Sequence, residues 1–217
     1  MRRPIAHTLA AVALALGQPI VVENKAGQGG SIGAGELARA APDGYKIGGG
    51  TISSNAINAT RYDKLPYDPV ASFAPITLYA AQPNVLLVHP SVPAKNLAEF
   101  IALLKANPDT YSFGSAGNGT SQHISGELFK TMAEMGLAGY EISSWQAVFA
   151  PAGTPAPIVD RLYDEIARIL KTPEIRKRFA DLGLDASGMP PVEFAARVKA
   201  DVPRLGKIVK ECGAKAD

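Results

Sequence analysis

The stretch that decides the fold class is QPIVVENKAGQGGSIGAGELARAAPDGYKI, residues 18–47. Its β-branched start over Gln18–Asn24 lies between glycines and predicts a buried strand. A glycine-rich turn then leads into the helix-favouring residues 36–41, and a Pro-Asp-Gly turn precedes a second short strand over Tyr45–Ile47. Strand, helix and strand in this order predict an α/β fold with a parallel sheet.

Downstream of this unit, turns alternate with periodic apolar segments. Residues 51–75 are polar and turn-rich. Strands are predicted over Ile76–Ala80, Asn84–Val88 and Tyr111–Ser115.

The helices predicted further along the chain have recognisable starts. One begins at a capping box formed by Asn96 and Glu99 and ends near Asn107. Its apolar stripe consists of Leu97, Phe100, Ile101 and Leu104. Another helix is predicted over Ser121–Met135. Three more are predicted in the C-terminal third, where Thr154-Pro155 and Thr172-Pro173 place a hydroxyl at the N-cap and a proline at the first helical position.

The composition limits the possible functions. The 217 residues carry 22 Lys and Arg against 20 Asp and Glu, and the net charge of +2 is too small and too scattered for a nucleic-acid surface. A single cysteine, Cys212, excludes an internal disulfide framework, and the three histidines lie far apart, so no metal site is predicted. No stretch reaches the roughly 18 to 20 unbroken apolar residues that span a bilayer.

The first sixteen residues, MRRPIAHTLAAVALAL, have two interpretations. Two arginines before an apolar run that ends in Ala13-Leu14-Ala15 are typical of a short secretory signal with its cleavage site. The alternative is an amphipathic helix that starts after Pro4. We favour the helix because His7 and Thr8 interrupt the apolar run.

The first glycine-rich loop has the spacing Gly29-x-x-x-Gly33-x-Gly35 between a predicted strand and a predicted helix. A dinucleotide pyrophosphate binds at such a helix N-terminus, so a Rossmann-like NAD(P)-dependent oxidoreductase is one alternative function. That enzyme needs an acidic residue at the end of the next strand, whereas residues 45–50 end in three glycines. We therefore favour a tight turn that allows the helix to pack closely on the sheet.

The second glycine-rich loop, Ser115–His123, runs from a predicted strand into a predicted helix. Its backbone N–H groups and the hydroxyls of Thr120 and Ser121 converge at the positive end of that helix, and uncharged donors of this kind suit a carboxylate. An equally good interpretation is that Thr120 or Ser121 caps the helix while His123 packs in an interface. Ser121 and His123 are two residues apart on a helix and diverge, so a serine hydrolase is not predicted.

Five long segments resemble a single family. They are LGQPIVVENKAGQGGSIGAGELARAAPDGYKI, YDKLPYDPVASFAPITL, PNVLLVHPSVPAKNLAEFIALLKANP, YSFGSAGNGTSQHISGELFK and YEISSWQAVFAPAGTPAPIVDRL. In this order they are similar to the Bug-type periplasmic solute-binding receptors of tripartite tricarboxylate transporters. The resemblance implies a periplasmic-binding-protein-like α/β fold (type II-like), with two lobes that close over a small carboxylate. It also implies delivery to a membrane permease, a periplasmic location, no cofactor, no metal, no nucleic acid and no catalytic residue.

The resemblance further implies domain limits and ligand contacts. Lobe one would comprise residues 1–85 and 148–217, and residues 86–147 would be a remnant of lobe two, with crossovers at Asn84–His89 and Ser144–Phe149. The ligand-facing loop of lobe one matches Thr51, Ser53, Ser54 and Asn55. The carboxylate-holding loop of lobe two matches Ala116, Gly117, Gly119, Thr120, Ser121 and His123.

The chain departs from the family pattern in two places. An opening strand and a ligand loop should precede the first helix, and a long stretch that completes lobe two should follow Ala133, where residues 134–139 lead straight to the return crossover. We therefore expect an incomplete second lobe and impaired ligand binding, because a cleft needs walls from both lobes. A further alternative is a degenerate chain that does not bind, or that dimerises through its exposed apolar helix face.

Overall fold

The computed structural model describes residues 15–108, 110–117, 119–133, 143–211 and 213. The two interpretations of the N-terminus concern residues that lie almost entirely outside these ranges, as does the part of the predicted helix beyond Ala133.

A four-stranded sheet forms the centre of the described chain. Its strands are β1 (Gly48–Thr51), β2 (Phe73–Pro83), β3 (Ser143–Pro151) and β4 (Asp185–Met189). The strand order is β1-β3-β2-β4, and every pairing is antiparallel. The prediction of a parallel sheet is therefore wrong, although the fold does combine helices with a sheet.

Seven α-helices are described. They are α1 (Ser31–Ala38), α2 (Asn58–Arg61), α3 (Leu97–Ala106), α4 (Ser121–Ala133), α5 (Ala156–Leu170), α6 (Pro173–Asp181) and α7 (Pro191–Glu211). A 3₁₀ turn over Gln28–Gly30 precedes α1, and a π-helical turn over Ser53–Ile57 precedes α2. The segment expected to be a polar loop is thus largely helical and buried.

The apolar core consists of two clusters, one on each face of the sheet. Along β3, Trp145 and Phe149 belong to the first cluster while Ala150 belongs to the second, because successive side chains of a strand point to opposite faces. The first cluster packs against α7 through residues such as Phe194. The second packs against α5 and α6 through residues such as Ile166.

Two bulges in β2 change the face to which its side chains point. The register shifts between Pro75 and Thr77 and again between Leu78 and Ala80. Phe73 and Leu78 lie on either side of the first shift, so both belong to the first cluster, whereas strict alternation would put them on opposite faces.

Two of the three glycines of β1, Gly48 and Gly50, lie where neighbouring side chains leave no room for a Cβ atom. A Cβ atom added at Gly50 would lie 2.5 Å from Phe149 Cε2 and 2.5 Å from Asn55 Oδ1, and one at Gly48 would lie 2.6 Å from Leu37 Cδ2. Only glycine permits this close approach. The strand predicted at Tyr45–Ile47 accordingly begins three residues later, at Gly48.

Three predicted strands are wrong. Gln18–Asn24, Asn84–Val88 and Tyr111–Ser115 have no strand assignment, and Val21 and Leu87 are each 84% exposed. Each segment has strand-like composition. Within the described residues, however, each lacks a neighbouring strand to satisfy its backbone groups, and composition alone does not stabilise a strand.

The helix predictions are largely confirmed. The N-cap of α3 is present, because Asn96 Oδ1 accepts from Glu99 N at 3.0 Å, whereas Glu99 Oε2 accepts from Lys95 N at 2.8 Å, one residue before the position that a capping box uses. The three C-terminal helices are present, with β4 as an unpredicted strand between α6 and α7.

The threonine caps predicted for α5 and α6 are wrong in detail. The hydroxyl of Thr154 donates to Pro151 O at 2.8 Å, and that of Thr172 donates to Ile169 O at 2.7 Å. Both hydroxyls close the preceding turn because a carbonyl three residues earlier is within reach.

Candidate functional site

The predicted ligand loop of lobe one is mostly a buried turn. Ser53, Ser54 and Asn55 are 8%, 3% and 1% exposed, whereas Thr51 is exposed. Ser54 Oγ accepts from Thr51 N at 3.1 Å and donates to Asn55 Oδ1 at 2.6 Å. The polar atoms of Ser54 and Asn55 therefore hold their own turn together.

A buried polar cluster joins this turn to the first glycine-rich loop. Tyr67 Oη donates to Ser54 O at 2.7 Å and lies 3.1 Å from Ser31 Oγ. Asn58 Nδ2 donates to Ser31 Oγ at 2.8 Å and approaches Gln28 O at 3.1 Å. Burial raises the pKa of Tyr67. The carbonyl of Gln28 in the first glycine-rich loop thus accepts from Asn58. This contact agrees with the tight, packed turn that we favoured over a dinucleotide site.

Three described amides of the second glycine-rich loop have acceptors within that loop. Gly117 N donates to Ser115 Oγ at 3.4 Å, and Gly119 N donates to His123 Nδ1 at 3.2 Å. Thr120 N donates to Gly117 O at 3.2 Å. A carboxylate would have to displace these acceptors to bind the same amides, so the ligand role of this loop stays a prediction.

Thr120 caps α4, which agrees with one of the two interpretations of this loop. Its Oγ1 accepts from His123 N at 3.3 Å and donates to Gly117 O at 2.8 Å. His123 stacks on Phe113, with ring centroids 6.0 Å apart, and its Nδ1 accepts from the loop. The exposed backbone of Ala116 and Gly117 forms the outer edge of the loop.

The two predicted ligand loops meet at Ser53 and Ser121. Both residues are buried, and Ser121 N donates to Ser53 Oγ at 3.2 Å. Ser121 Oγ contacts Ser144 Oγ, which donates to Asn84 Oδ1 at 3.1 Å. Asn84 Nδ2 in turn donates to Ser125 Oγ at 2.7 Å. We call these five residues the serine–asparagine cluster.

This cluster lies where both predicted crossovers reach the second loop, since Asn84 and Ser144 are the first residues of those crossovers. The family resemblance predicts that Ser53 and Ser121 contact the ligand. It did not identify Asn84, Ser125 or Ser144 as part of the site, because the fold brings together hydroxyls that are far apart in the chain.

Arg61, in α2, is a second feature that the sequence did not reveal. Arg61 is 4% exposed. A Cβ atom added at Gly119 would lie 2.5 Å from the Cδ, Nε and Nη1 atoms of Arg61. Nη1 donates to Tyr62 Oη at 2.8 Å, and the guanidinium carbon lies 4.8 Å from the centre of the Tyr62 ring. Nothing in the local sequence distinguishes this arginine from a solvated one.

The charge of Arg61 lacks a carboxylate partner within the described residues. No Asp or Glu oxygen of that part of the chain forms an ion pair with it. Its Nε is buried and has no hydrogen-bond partner. Arg61 therefore places a positive charge without a carboxylate partner in the described residues beside Gly119 of the second glycine-rich loop.

No three His, Cys, Asp or Glu side chains of the described residues lie close enough together to hold a metal ion. No helix of the described ranges has the length and apolar character needed to cross a bilayer.

The chain matches known receptors over nearly its whole length. The model of the tripartite tricarboxylate transporter family receptor, TctC, matches residues 3–132 and 129–214. BugT of Bordetella pertussis is 25% identical over 283 aligned positions that cover 99% of this chain and 85% of BugT. Because the chain has 217 residues, BugT contains residues within that span that this chain lacks. The two matched ranges overlap at residues 129–132, just before the predicted junction after Ala133, and together with the additional BugT residues they support the predicted interior shortening.

Two solved structures share the fold. A periplasmic transporter is 32% identical, with a TM-score of 0.87 over 97% of this chain and 92% of that chain. The R. palustris protein Rpa4515 with adipate is 25% identical, with a TM-score of 0.88 over the same shares. These likenesses confirm the periplasmic-binding-protein-like fold. Together with the family match along the sequence, they show that this chain belongs to the tripartite tricarboxylate transporter receptor family.

Proposed function

We propose that this chain is a periplasmic receptor that binds a small carboxylate and delivers it to the membrane permease of a tripartite transporter. The family membership and the adipate-bound relative Rpa4515 support this function. The observation that carries it is the hydrogen bond from Ser121 N to Ser53 Oγ, because it joins the two loops that the resemblance assigns to the ligand. A receptor of this kind breaks no bond in its ligand, so we propose no catalytic residue.

The ligand contacts that we propose are ones in which a carboxylate replaces a weaker acceptor of the protein. A carboxylate oxygen is a stronger acceptor than a hydroxyl, because a charge-assisted hydrogen bond is about twice as strong as a neutral one. A ligand can therefore replace Ser53 Oγ as the acceptor of Ser121 N and take further bonds from the hydroxyls of Thr51 and Thr120. We propose that the bound carboxylate lies close to the backbone of Ala116, Gly117 and Gly119.

Three of the residues in the matched loops are assigned positioning roles. Ser54 and Asn55 stabilise the turn that carries Ser53, since their polar atoms are bonded within it. His123 orients the loop by accepting from Gly119 N.

We further propose the lobe limits given above, with residues 86–147 as the remnant of lobe two. The residues missing beside Ala133 would remove part of the wall that closes over the ligand. Affinity should therefore be weak, with a Kd above about 100 µM, equivalent to a binding free energy of about −5.5 kcal/mol or weaker.

Isothermal titration calorimetry tests this function. The chain is titrated with adipate, succinate, citrate, NAD⁺ and, as an uncharged control, dimethyl adipate. We expect saturable but weak heats with at least one carboxylate and none with the diester. Micromolar affinity would refute the impairment, and no response to any carboxylate at about 10 mM, a concentration that detects millimolar Kd values, would refute the function. Binding of NAD⁺ alone would favour the oxidoreductase instead.

A further inference from the structure

We propose that Arg61 is the cationic anchor of the carboxylate site, so that its guanidinium pairs with a carboxylate of the bound ligand beside Gly119. The inference rests on the proposed function and adds to it a charged contact that neither the family match nor the loop motifs assign.

Arg61 carries a buried charge that has no carboxylate partner within the described residues. Arginine keeps its charge at every pH relevant to proteins, and a buried charge is costly unless it is paired and hydrogen-bonded. Arg61 is 4% exposed, its Nε has no acceptor, and no carboxylate oxygen of the described residues lies within 4.0 Å of its nitrogens. An anion that reached this guanidinium would supply the missing acceptor.

Arg61 differs from two more exposed arginines of the same chain, which do pair with a carboxylate. The side chains of Arg197 and Arg204 are 40% and 43% exposed, and each nevertheless pairs with the buried carboxylate of Asp201, at 2.8 Å and 2.9 Å. Arg61 is far more buried, and among the described residues its guanidinium is shown to contact the hydroxyl and the ring of Tyr62 but no carboxylate. Two arginines that remain partly exposed thus have a carboxylate partner, whereas the buried Arg61 has none within the described residues.

Arg61 lies against Gly119 of the second glycine-rich loop. The absence of a side chain at Gly119 is what allows Arg61 to lie against the loop, since a Cβ there would be 2.5 Å from three of its atoms. Ser121, two residues further, is bonded to Ser53 of the other ligand loop. Arg61 therefore lies beside the point where both loops meet, and the edge of a guanidinium can contact both oxygens of a carboxylate.

The test compares three variants with the wild-type chain, using adipate as the probe. Arg61→Met keeps much of the apolar stem and removes the charge, and Arg61→Lys keeps the charge but loses the planar fork. Arg161→Met, at an exposed position on α5, is the control. The affinity for adipate is measured by NMR titration, and the stability of the ligand-free proteins is measured by urea unfolding.

We expect Arg61→Met to weaken adipate binding at least about tenfold and Arg61→Lys to weaken it less, with no change for Arg161→Met. We also expect ligand-free Arg61→Met to be as stable as the wild type or more stable, because the substitution removes an unpaired buried charge.

Each other outcome overturns the inference in a recognisable way. If wild type and Arg61→Met bind adipate equally, Arg61 is not the anchor and the proposed function stands. If the wild type binds none of adipate, succinate and citrate, both proposals fail, and if it binds succinate or citrate but not adipate, that ligand replaces adipate as the probe. If Arg61→Met is markedly less stable without ligand, or fails to fold while Arg61→Lys folds and binds as wild type does, Arg61 has a structural role within the chain.

Discussion

At the scale of single residues, Gly119 and Gly183 form a matched pair. Both have a left-handed backbone, with φ of +77° and +68°, and nothing lies within 4 Å of a Cβ added at Gly183. Alanine at either position costs about 1–2 kcal/mol because of the backbone alone. At position 119, alanine must also displace Arg61. We expect Gly119→Ala to lose about 1–3 kcal/mol more unfolding free energy than Gly183→Ala, as overpacking does.

Urea unfolding of the two variants measures this difference. Equal losses would mean that the arginine moves aside freely, which would contradict the close packing of Arg61 on the second loop.

Two buried tyrosines should make the chain less stable in alkali. Burial raises the pKa of Tyr67 and of Tyr79 above the ordinary value of 10.0. Above about pH 10, the unfolded chain releases these phenolic protons while the folded chain keeps them. The stabilising contribution is therefore complete below pH 10, and the unfolding free energy falls by up to about 1.4 kcal/mol per pH unit for each tyrosine until the folded pKa is passed.

The variant Tyr67→Phe/Tyr79→Phe should lose less stability between pH 9 and pH 11, as measured by urea unfolding at about those two pH values. Tyr45→Phe is the control, because Tyr45 is 89% exposed. A double variant whose stability falls as steeply as that of the control would contradict this prediction.

At the scale of elements, α3 depends on its cap more than on burial. None of its residues is fully buried, although Asn96 and Glu99 satisfy its first turn. Asn96→Ala should therefore destabilise α3 locally by about 1 kcal/mol. We expect faster hydrogen exchange over residues 99–106 without a shift in the global urea midpoint.

Lys105→Ala, an exposed change in the same helix, is the control. A lowered global midpoint for Asn96→Ala would instead show that α3 unfolds cooperatively with the core.

How far the sequence predicts an element depends on where its stabilising partners lie. The start of α3 could be predicted because the partners of Asn96 are within three residues. The strands at 18–24 and 111–115 could not be judged from composition, because a strand needs a partner that only the tertiary fold supplies. The mixed outcome for the candidate site has the same cause: hydroxyls at a helix start are a local signal, whereas the burial of Arg61 is decided by α2 packing beside Gly119.

At the scale of the whole molecule, the chain exposes an apolar surface. Leu86, Val88 and Leu97 are 53%, 43% and 48% exposed, and with Phe100 they line a depression beside α3. Apolar surface of this kind favours association. We expect light scattering to show a larger average mass at about 1 mM chain than at about 10 µM, as mass action requires. A monomer at both concentrations would contradict the prediction, and Leu97→Glu should restore the monomer.

The central claim is that a carboxylate binds where the loop around Ser53 meets the loop around Ser121. The most direct measurement is an amide map of the ¹⁵N-labelled chain titrated with adipate. The account predicts that the shifts concentrate at residues 51–55, at Arg61 and at residues 115–123, and that α6 is unaffected. Shifts that concentrate on α6 or elsewhere, or the absence of shifts with adipate, succinate and citrate alike at about 10 mM, would contradict it.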